Sequence, residues 1–297
     1  MKSKIYGAIM GLIVGDALGV PFEFKQRDIF RCDGMMGFGT YNQPPGTWSD
    51  DSSMTLATID SIVKNNGKVI PKDIMNNFCK WLYKAEFTPY GKVFDAGNTT
   101  QIALDQYYYV GKPTNKCGAR DFRSNGNGAL MRILPFTFVE CTDADIAYIS
   151  SLTHAHRIST DACVIYITIT KNLLNGVPLD RAIIYGRAYS ELKEFERLTK
   201  LETLSRDEIR SSGYVVDTLE AALWCLLKTD NYTDAILTAV NLGDDTDTVA
   251  AVAGGLAGMM YGVGGEKGIP EEWIKRIAKL EYIEKLISKL ENTISEA

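Results

Sequence analysis

Two short acidic runs stand near opposite ends of the 297-residue chain. Close to the C-terminal end, Gly243-Asp244-Asp245-Thr246-Asp247-Thr248 packs three aspartates and two threonines into five positions, just before the small apolar run Ala250 to Gly255. A helix N-cap needs only one such side chain. Carboxylates this crowded repel one another unless a cation or a proton sits among them. Residues 245 and 247 of one loop can reach a common ion, and a hard divalent cation takes several oxygen ligands at once. Calcium loops also use D-x-D spacing, but they require a glutamate at the twelfth position, where this chain has Leu256. Near the start, Trp48-Ser49-Asp50-Asp51-Ser52-Ser53 runs from the loop Pro44-Pro45-Gly46 into a helical pattern. Alone, these residues read as a cap with dipole-favoured acids behind it. Two adjacent carboxylates and a hydroxyl nonetheless exceed what one cap uses.

Three further features carry polar chemistry. Ser124-Asn125-Gly126-Asn127-Gly128 enters a helical pattern through Met131-Arg132. It has neither a Walker lysine nor the dinucleotide-binding G-x-G-x-x-G. Its glycines would let backbone N–H groups approach a ribose or diphosphate, and an ordinary turn is equally compatible. The only histidines, His154 and His156, are spaced i, i+2 rather than the i, i+4 of a helical zinc site, so zinc is not assigned. One of them can meet a ligand, or both can be plain polar contacts. Glu23 lies between Phe22 and Phe24. Partial desolvation there would raise its pKa and suit acid–base work; an exposed loop acid is the alternative.

The elements that must position these residues read as helices. Apolar periodicity predicts helices over residues 5–18, 54–64, 72–84, 100–109, 143–151, 161–174, 179–195, 217–227, 232–241, 248–261 and 271–290. Val164 to Thr170 is rich in β-branched residues and could be a strand, but its surroundings favour a buried helix. Gly7, Gly11, Gly15 and Gly19 form an i, i+4 stripe that admits a closely packed second helix. No linker, repeat or low-complexity tract interrupts the chain, so one all-α domain over 1–297 is expected.

Bulk properties narrow the class. Hydrophobic residues make up 45% and charged residues 23%, ordinary values for a soluble enzyme. A net charge of −5 argues against nucleic acid held by bulk electrostatics. The six cysteines show neither zinc nor disulfide-framework spacing and read as reduced thiols. The apolar run Ile5 to Val14 contains Gly7 and Gly11 and is too short to span a bilayer. A cytoplasmic protein with no membrane partner is expected, with a monomer favoured.

Taken in order, Gly15-Asp16-Ala17-Leu18-Gly19 with Glu23, Trp48-Ser49-Asp50-Asp51, Asp95-Ala96-Gly97-Asn98-Thr99-Thr100, Asn125-Gly126-Asn127-Gly128 through Arg132, Thr153-His154, and Asp245-Thr246-Asp247-Thr248 resemble the ADP-ribosylglycohydrolase family. That family includes the dinitrogenase reductase-activating glycohydrolase and the ADP-ribosyl-acceptor hydrolases. Each piece is weakly specific; the ordered set, spanning 15 to about 262, is strong. The resemblance implies an all-α orthogonal bundle with two divalent cations, Mg²⁺ or Mn²⁺, in a site made by helix-start loops. It implies Ser49, Asp50, Asp51, Asp245, Asp247 and Thr248 as metal ligands, with Glu23, Asp50 and Asp245 in catalysis. Asp95, Ser124, Gly126, Asn127, Gly128 and His154 would meet an ADP-ribosylated protein or small conjugate. Two departures stand out: Ser49 where the family usually has Thr, and Asp244 where it often has Gly. The implied reaction is hydrolysis of the glycosidic bond to ADP-ribose. A metal-dependent nucleotide phosphohydrolase and a non-catalytic ADP-ribose binder are the alternatives, because a fold alone does not fix an activity.

Overall fold

The computed structural model describes residues 2–296, and among these the regular structure is helical, with only isolated bridges. The α-helices are α1 (Lys2–Gly19), α2 (Asp50–Lys64), α3 (Pro71–Lys84), α4 (Asn98–Tyr108), α5 (Asp143–Ser151) and α6 (Arg157–Leu174). They continue with α7 (Leu179–Arg187), α8 (Val215–Leu227), α9 (Tyr232–Val240), α10 (Thr246–Tyr261), α11 (Glu271–Ile274) and α12 (Leu280–Glu296).

The centre of the core is the pair α1 and α10. A Cβ added at Gly7, Gly11 or Gly15 would lie 2.4, 2.3 or 2.1 Å from the carbonyl oxygens of Gly258, Gly254 and Ala250. The glycine stripe therefore does pack against a second helix, backbone on backbone. At Gly19 an added Cβ would sit 2.3 Å from Asp247 Cα, so the stripe ends against the acidic loop itself. Around this pair, α2 packs on α3 and α12, α6 on α5 and α7, and α8 and α9 on α10.

The segment Val164 to Thr170 is helical and lies almost wholly in the core as part of α6. Burial on nearly all sides, rather than strand pairing, explains its run of β-branched residues.

Two helices expected to be continuous are broken. The pattern over 179–195 stops at Arg187, whose guanidinium donates to the carbonyl oxygens of Ser190 and Leu192. The Ser190 hydroxyl donates to buried Asp161 Oδ2 at 2.7 Å, and a 3₁₀ segment, Lys193–Thr203, follows. The pattern over 271–290 breaks between α11 and α12, where Lys279 adopts φ +54°. There Ala278 N–H donates to Gly46 O at 2.9 Å and Ala278 O accepts from Trp48 Nε1 at 3.0 Å. The break thus clamps the loop that leads into α2. The membrane argument also needs correction. The run Ile5 to Val14 is short, but Ser3–Phe22 is 20 residues with mean hydropathy 1.7, long and apolar enough to cross a bilayer. Within this structure nearly all of it is buried in the protein core.

Candidate active site

The N-termini of α2 and α10 converge on one acidic cleft. Ser49 precedes α2, yet its hydroxyl does not cap the helix; it donates to Asp51 Oδ2 at 3.2 Å. The capping is done from α1. Asp16 accepts from Ser49 N–H (2.9 and 3.0 Å), Ser52 N–H (3.1 Å) and Ser52 Oγ (2.5 Å). Burial pushes Asp16 up to about 6, against the hydrogen bonds that favour its charge. With the helix start already satisfied, Asp50 and Asp51 need not cap it and join the cluster. Asp16 belongs to the motif at 15–19, and its role was missed because no local pattern marks a cap supplied from 33 residues away.

The second half is built on α10. Asp245 N–H donates to Ser211 O at 3.0 Å, and Asp245 Oδ2 accepts from Asn127 Nδ2 at 2.9 Å. Asn127 is fixed in turn by Thr218 Oγ1 at 2.9 Å. Thr248 Oγ1 donates to Asp51 Oδ2 at 3.3 Å and joins the two halves across 197 residues of sequence. Its N–H donates to Asp247 Oδ1 at 3.0 Å. Glu23 arrives on a third segment, pinned by Phe24 N–H to Asp244 O (2.7 Å) and Asp244 N–H to Lys25 O (2.9 Å). Ligand atoms of Glu23, Asp245 and Asp247 lie within 4.8 Å of one another. Tyr41, another residue the sequence did not flag, places its phenol beside Glu23 and Asp95, and Asp95 lies beside Asp50, near enough for each to shift the others' titration.

The electrostatics follow from this crowding. Burial raises Glu23 to about 8, helped by the charge of Asp95. Burial first, then neighbouring carboxylates, lifts Asp50, Asp51 and Asp247 well above the usual carboxylate range. Burial also raises Asp95 and Asp245, partly opposed by their hydrogen bonds. Four buried oxygens, Glu23 Oε2, Asp51 Oδ1, Asp245 Oδ1 and Asp247 Oδ2, have no hydrogen-bond partner. Buried polar atoms are normally satisfied. An all-oxygen set with spare lone pairs is what a hard divalent cation takes up, so these residues fit a metal.

The cleft above them has a volume of about 360 Å³. Glu23, Asp50, Asp95, Asp245 and Thr248 line its acidic side. Gly126, Asn127, Gly128 and His154 line another wall, with Ala96 to Thr100 at the start of α4 and the 68% exposed Phe24. Ser49, Asp51 and Asp247 are buried beneath this lining. Ser124 is not part of it: its hydroxyl donates to Asp121 Oδ2 at 2.6 Å. The cleft-facing start of α4 was signalled by Gly97-Asn98-Thr99-Thr100, although only Asp95 was singled out there. A larger groove of about 550 Å³, beside Asn66–Val69 and Phe138–Glu140, shares no residue with this cleft.

An ADP-ribosylglycohydrolase family model matches residues 1–297. The chain belongs to the ADP-ribosylglycohydrolase family. It is 36% identical to an ADP-ribosylarginine hydrolase of Serratia proteamaculans (strain 568), over 97% of this chain and 78% of that one. It is 31% identical to the ADP-ribosyl-[dinitrogen reductase] glycohydrolase of Rhodospirillum rubrum, covering 93% and 91%. A solved structure, described as an ADP-ribosylglycohydrolase-related protein complex, superimposes with TM-score 0.82 at 30% identity, covering 99% and 98%. In this ADP-ribosylglycohydrolase-family chain the backbone at Asp244 has a conformation that bears on its residue type. Residue 244 adopts φ +60°, the left-handed region where glycine is strain-free, and the Asp244 side chain is exposed. Ser49 keeps the hydroxyl of a threonine and spends it on Asp51.

Proposed function

We propose that this chain hydrolyses the N-glycosidic bond between ADP-ribose and an arginine acceptor, with two divalent cations, Mg²⁺ or Mn²⁺, in the acidic cleft. The single observation that carries this is the set of converging carboxylates with four unpartnered oxygens at the base of a 360 Å³ cleft. Family membership supports the reaction class, and the 36% identical ADP-ribosylarginine hydrolase supports the acceptor. Ser49, Asp50, Asp51, Asp245, Asp247 and Thr248 would hold the cations, and Glu23, whose carboxylate shares the cluster with Asp245 and Asp247, stands beside them. When bound, such cations orient ribose hydroxyls and acidify water.

The rest is chemistry of the chain. Cleavage develops oxocarbenium character on the ribose, and a wall of carboxylates stabilises positive charge there. Glu23, beside Tyr41 and facing the cleft, is placed to accept a proton from the attacking water or deliver one to the departing nitrogen. Water oxygen bonds to the anomeric carbon as the carbon–nitrogen bond breaks, and the guanidine leaves protonated. Asn127 holds Asp245, and the glycines at 126 and 128 let backbone approach an oxygen-rich ligand. We also place the protein in the cytoplasm, a reading supported by six cysteines free of disulfides.

The test is a panel of ADP-ribosyl-arginine, ADP-ribosyl-serine and mononucleotides, each assayed with Mg²⁺, Mn²⁺ or excess chelator. Release of ADP-ribose from the arginine conjugate, abolished by chelator, is expected. Phosphate release would favour a phosphohydrolase. Binding of ADP-ribose without turnover of any conjugate would favour a non-catalytic binder. Turnover undiminished by chelator would overturn the metal dependence.

A further inference from the structure

Arg132 is fully buried, and among the described residues no carboxylate is paired with it. Its guanidinium lies over the Phe78 ring at 4.6 Å, and Nε and Nη1 have no hydrogen-bond partner. Nη2 donates to Ile149 O at 3.3 Å and to Thr153 Oγ1 at 3.0 Å. A buried guanidinium without a counter-ion is costly, and the metal site makes no use of it. Its one contact that leads toward the cleft is Thr153.

Thr153 is itself fully buried, and its Oγ1 lies 2.8 Å from His154 Nδ1. Arginine can only donate, so it occupies a lone pair of the hydroxyl. The single hydroxyl proton must then find an acceptor, and His154 Nδ1 is the one within reach. A hydrogen on Nδ1 would strand that proton in the core. Nδ1 is therefore bare, and the ring hydrogen is on Nε2. The backbone fixes the ring's position: His154 N–H donates to Ser150 O at 3.1 Å, and Ala119 pairs with Thr153 O and Ala155 N–H at 3.0 and 2.7 Å. The Nε2 edge faces the glycine loop, since a Cβ at Gly126 would lie 3.4 Å from Nε2. Among the described residues Nε2 meets no protein acceptor, and His154 lines the cleft.

We propose that Arg132 is a positioning residue that, through Thr153, locks His154 as the neutral Nε2–H tautomer and so gives the cleft a fixed N–H donor for a phosphate or hydroxyl oxygen of its ligand. Burial and the adjacent Arg132 charge hold His154 down at about 3, consistent with a ring that stays neutral. What the donor grips rests on the ADP-ribose reading above; the tautomer does not.

The experiment uses the whole protein labelled with ¹⁵N in its histidine rings, of which there are only two. Long-range ¹H–¹⁵N spectra report each tautomer directly, and calorimetry with ADP-ribose and Mg²⁺ reports the donor's effect. Wild type is expected to show His154 as Nε2–H between pH 6 and 8. Arg132→Met frees the Thr153 hydroxyl to turn and accept, so the Nδ1–H form should appear and ADP-ribose affinity should fall roughly tenfold or more. Thr153→Val should do the same, while Thr153→Ser should restore both readouts; this pair carries the test if Arg132→Met does not fold. A wild-type Nδ1–H ring, or an unchanged Nε2–H ring in Thr153→Val, would overturn the proposal. Absence of ADP-ribose binding by wild type would instead count against the ligand assignment, with the tautomer result still read independently.

Discussion

Single residues in the acidic cleft are set against one another, and that makes their removal informative. Asp245→Ala and Asp50→Asn should abolish turnover while the far-ultraviolet circular dichroism stays that of the wild type, because the helices around them are held by apolar burial elsewhere. In chelator, Asp51→Asn should raise Tm by roughly 1–2 °C, the size expected for about 1 kcal/mol in a chain of this length. It removes one buried like charge while leaving a polar group of the same shape. An equal or lower Tm would mean the carboxylates are not in conflict in the metal-free protein. Asp244 gives the contrasting case. Asp244→Gly should leave metal affinity unchanged, because the side chain is exposed, and stabilise by less than about 1 kcal/mol by relieving a positive φ. Metal titration followed by thermal melts separates the two effects.

At the scale of elements, the site depends on how closely α1 approaches α10. Gly11→Ala places a methyl group 2.3 Å from Gly254 O, where backbone rather than a flexible side chain must move. The expected cost is about 1–3 kcal/mol, measured by denaturant unfolding. Gly19→Ala should be worse for metal binding than for folding, because its methyl group would push on Asp247 itself. Comparable losses of Tm in the two variants, with metal affinity intact in Gly19→Ala, would show that the α1 terminus does not set the ligand geometry. The two unexpected breaks teach a related lesson. The turn around Ser190 and the turn at Lys279 sit within amphipathic patterns that suit a continuous helix, and both are redirected by side chains from other elements, Asp161 in one case and Trp48 in the other.

For the molecule as a whole, stability, pH and cation binding are one linked quantity. Glu23 titrates near 4.5 when unfolded and about 8 when folded, and Asp16 near 3.8 and about 6. These carboxyls, with Asp50, Asp51 and Asp247 raised likewise, bind more protons folded than unfolded and outweigh His154, whose lowered pKa acts the other way below about 6.5, so stability without metal should fall as pH rises, most steeply from about 6.5 to about 8. A bound divalent cation supplies the missing positive charge, so its stabilisation should be greatest at the alkaline end. A cation at a hundred times its Kd adds about 2.7 kcal/mol. Thermal melts from pH 5 to 8.5 with chelator, or with Mg²⁺ or Mn²⁺, test this. A metal-free Tm that rises through this window would refute it.

The ordered motifs and the helical periodicity were local properties, so the all-α class and most helices could be read from the chain: α5 spans Asp143–Ser151, as its pattern predicted. The glycine stripe likewise announced a close helix partner, because only glycine permits backbone contact. The sequence could not say which helix that partner was. Nor could it show that Asp16 would take over the capping of α2, that Asn127 would hold Asp245, or that Ser124 would turn to Asp121. Each of these is a choice of hydrogen-bond partner, and such choices are made by distance in space, which local periodicity does not encode. The joining of Asp51 to Thr248 across the fold is the same kind of fact, and it turns two ordinary helix starts into one acidic site.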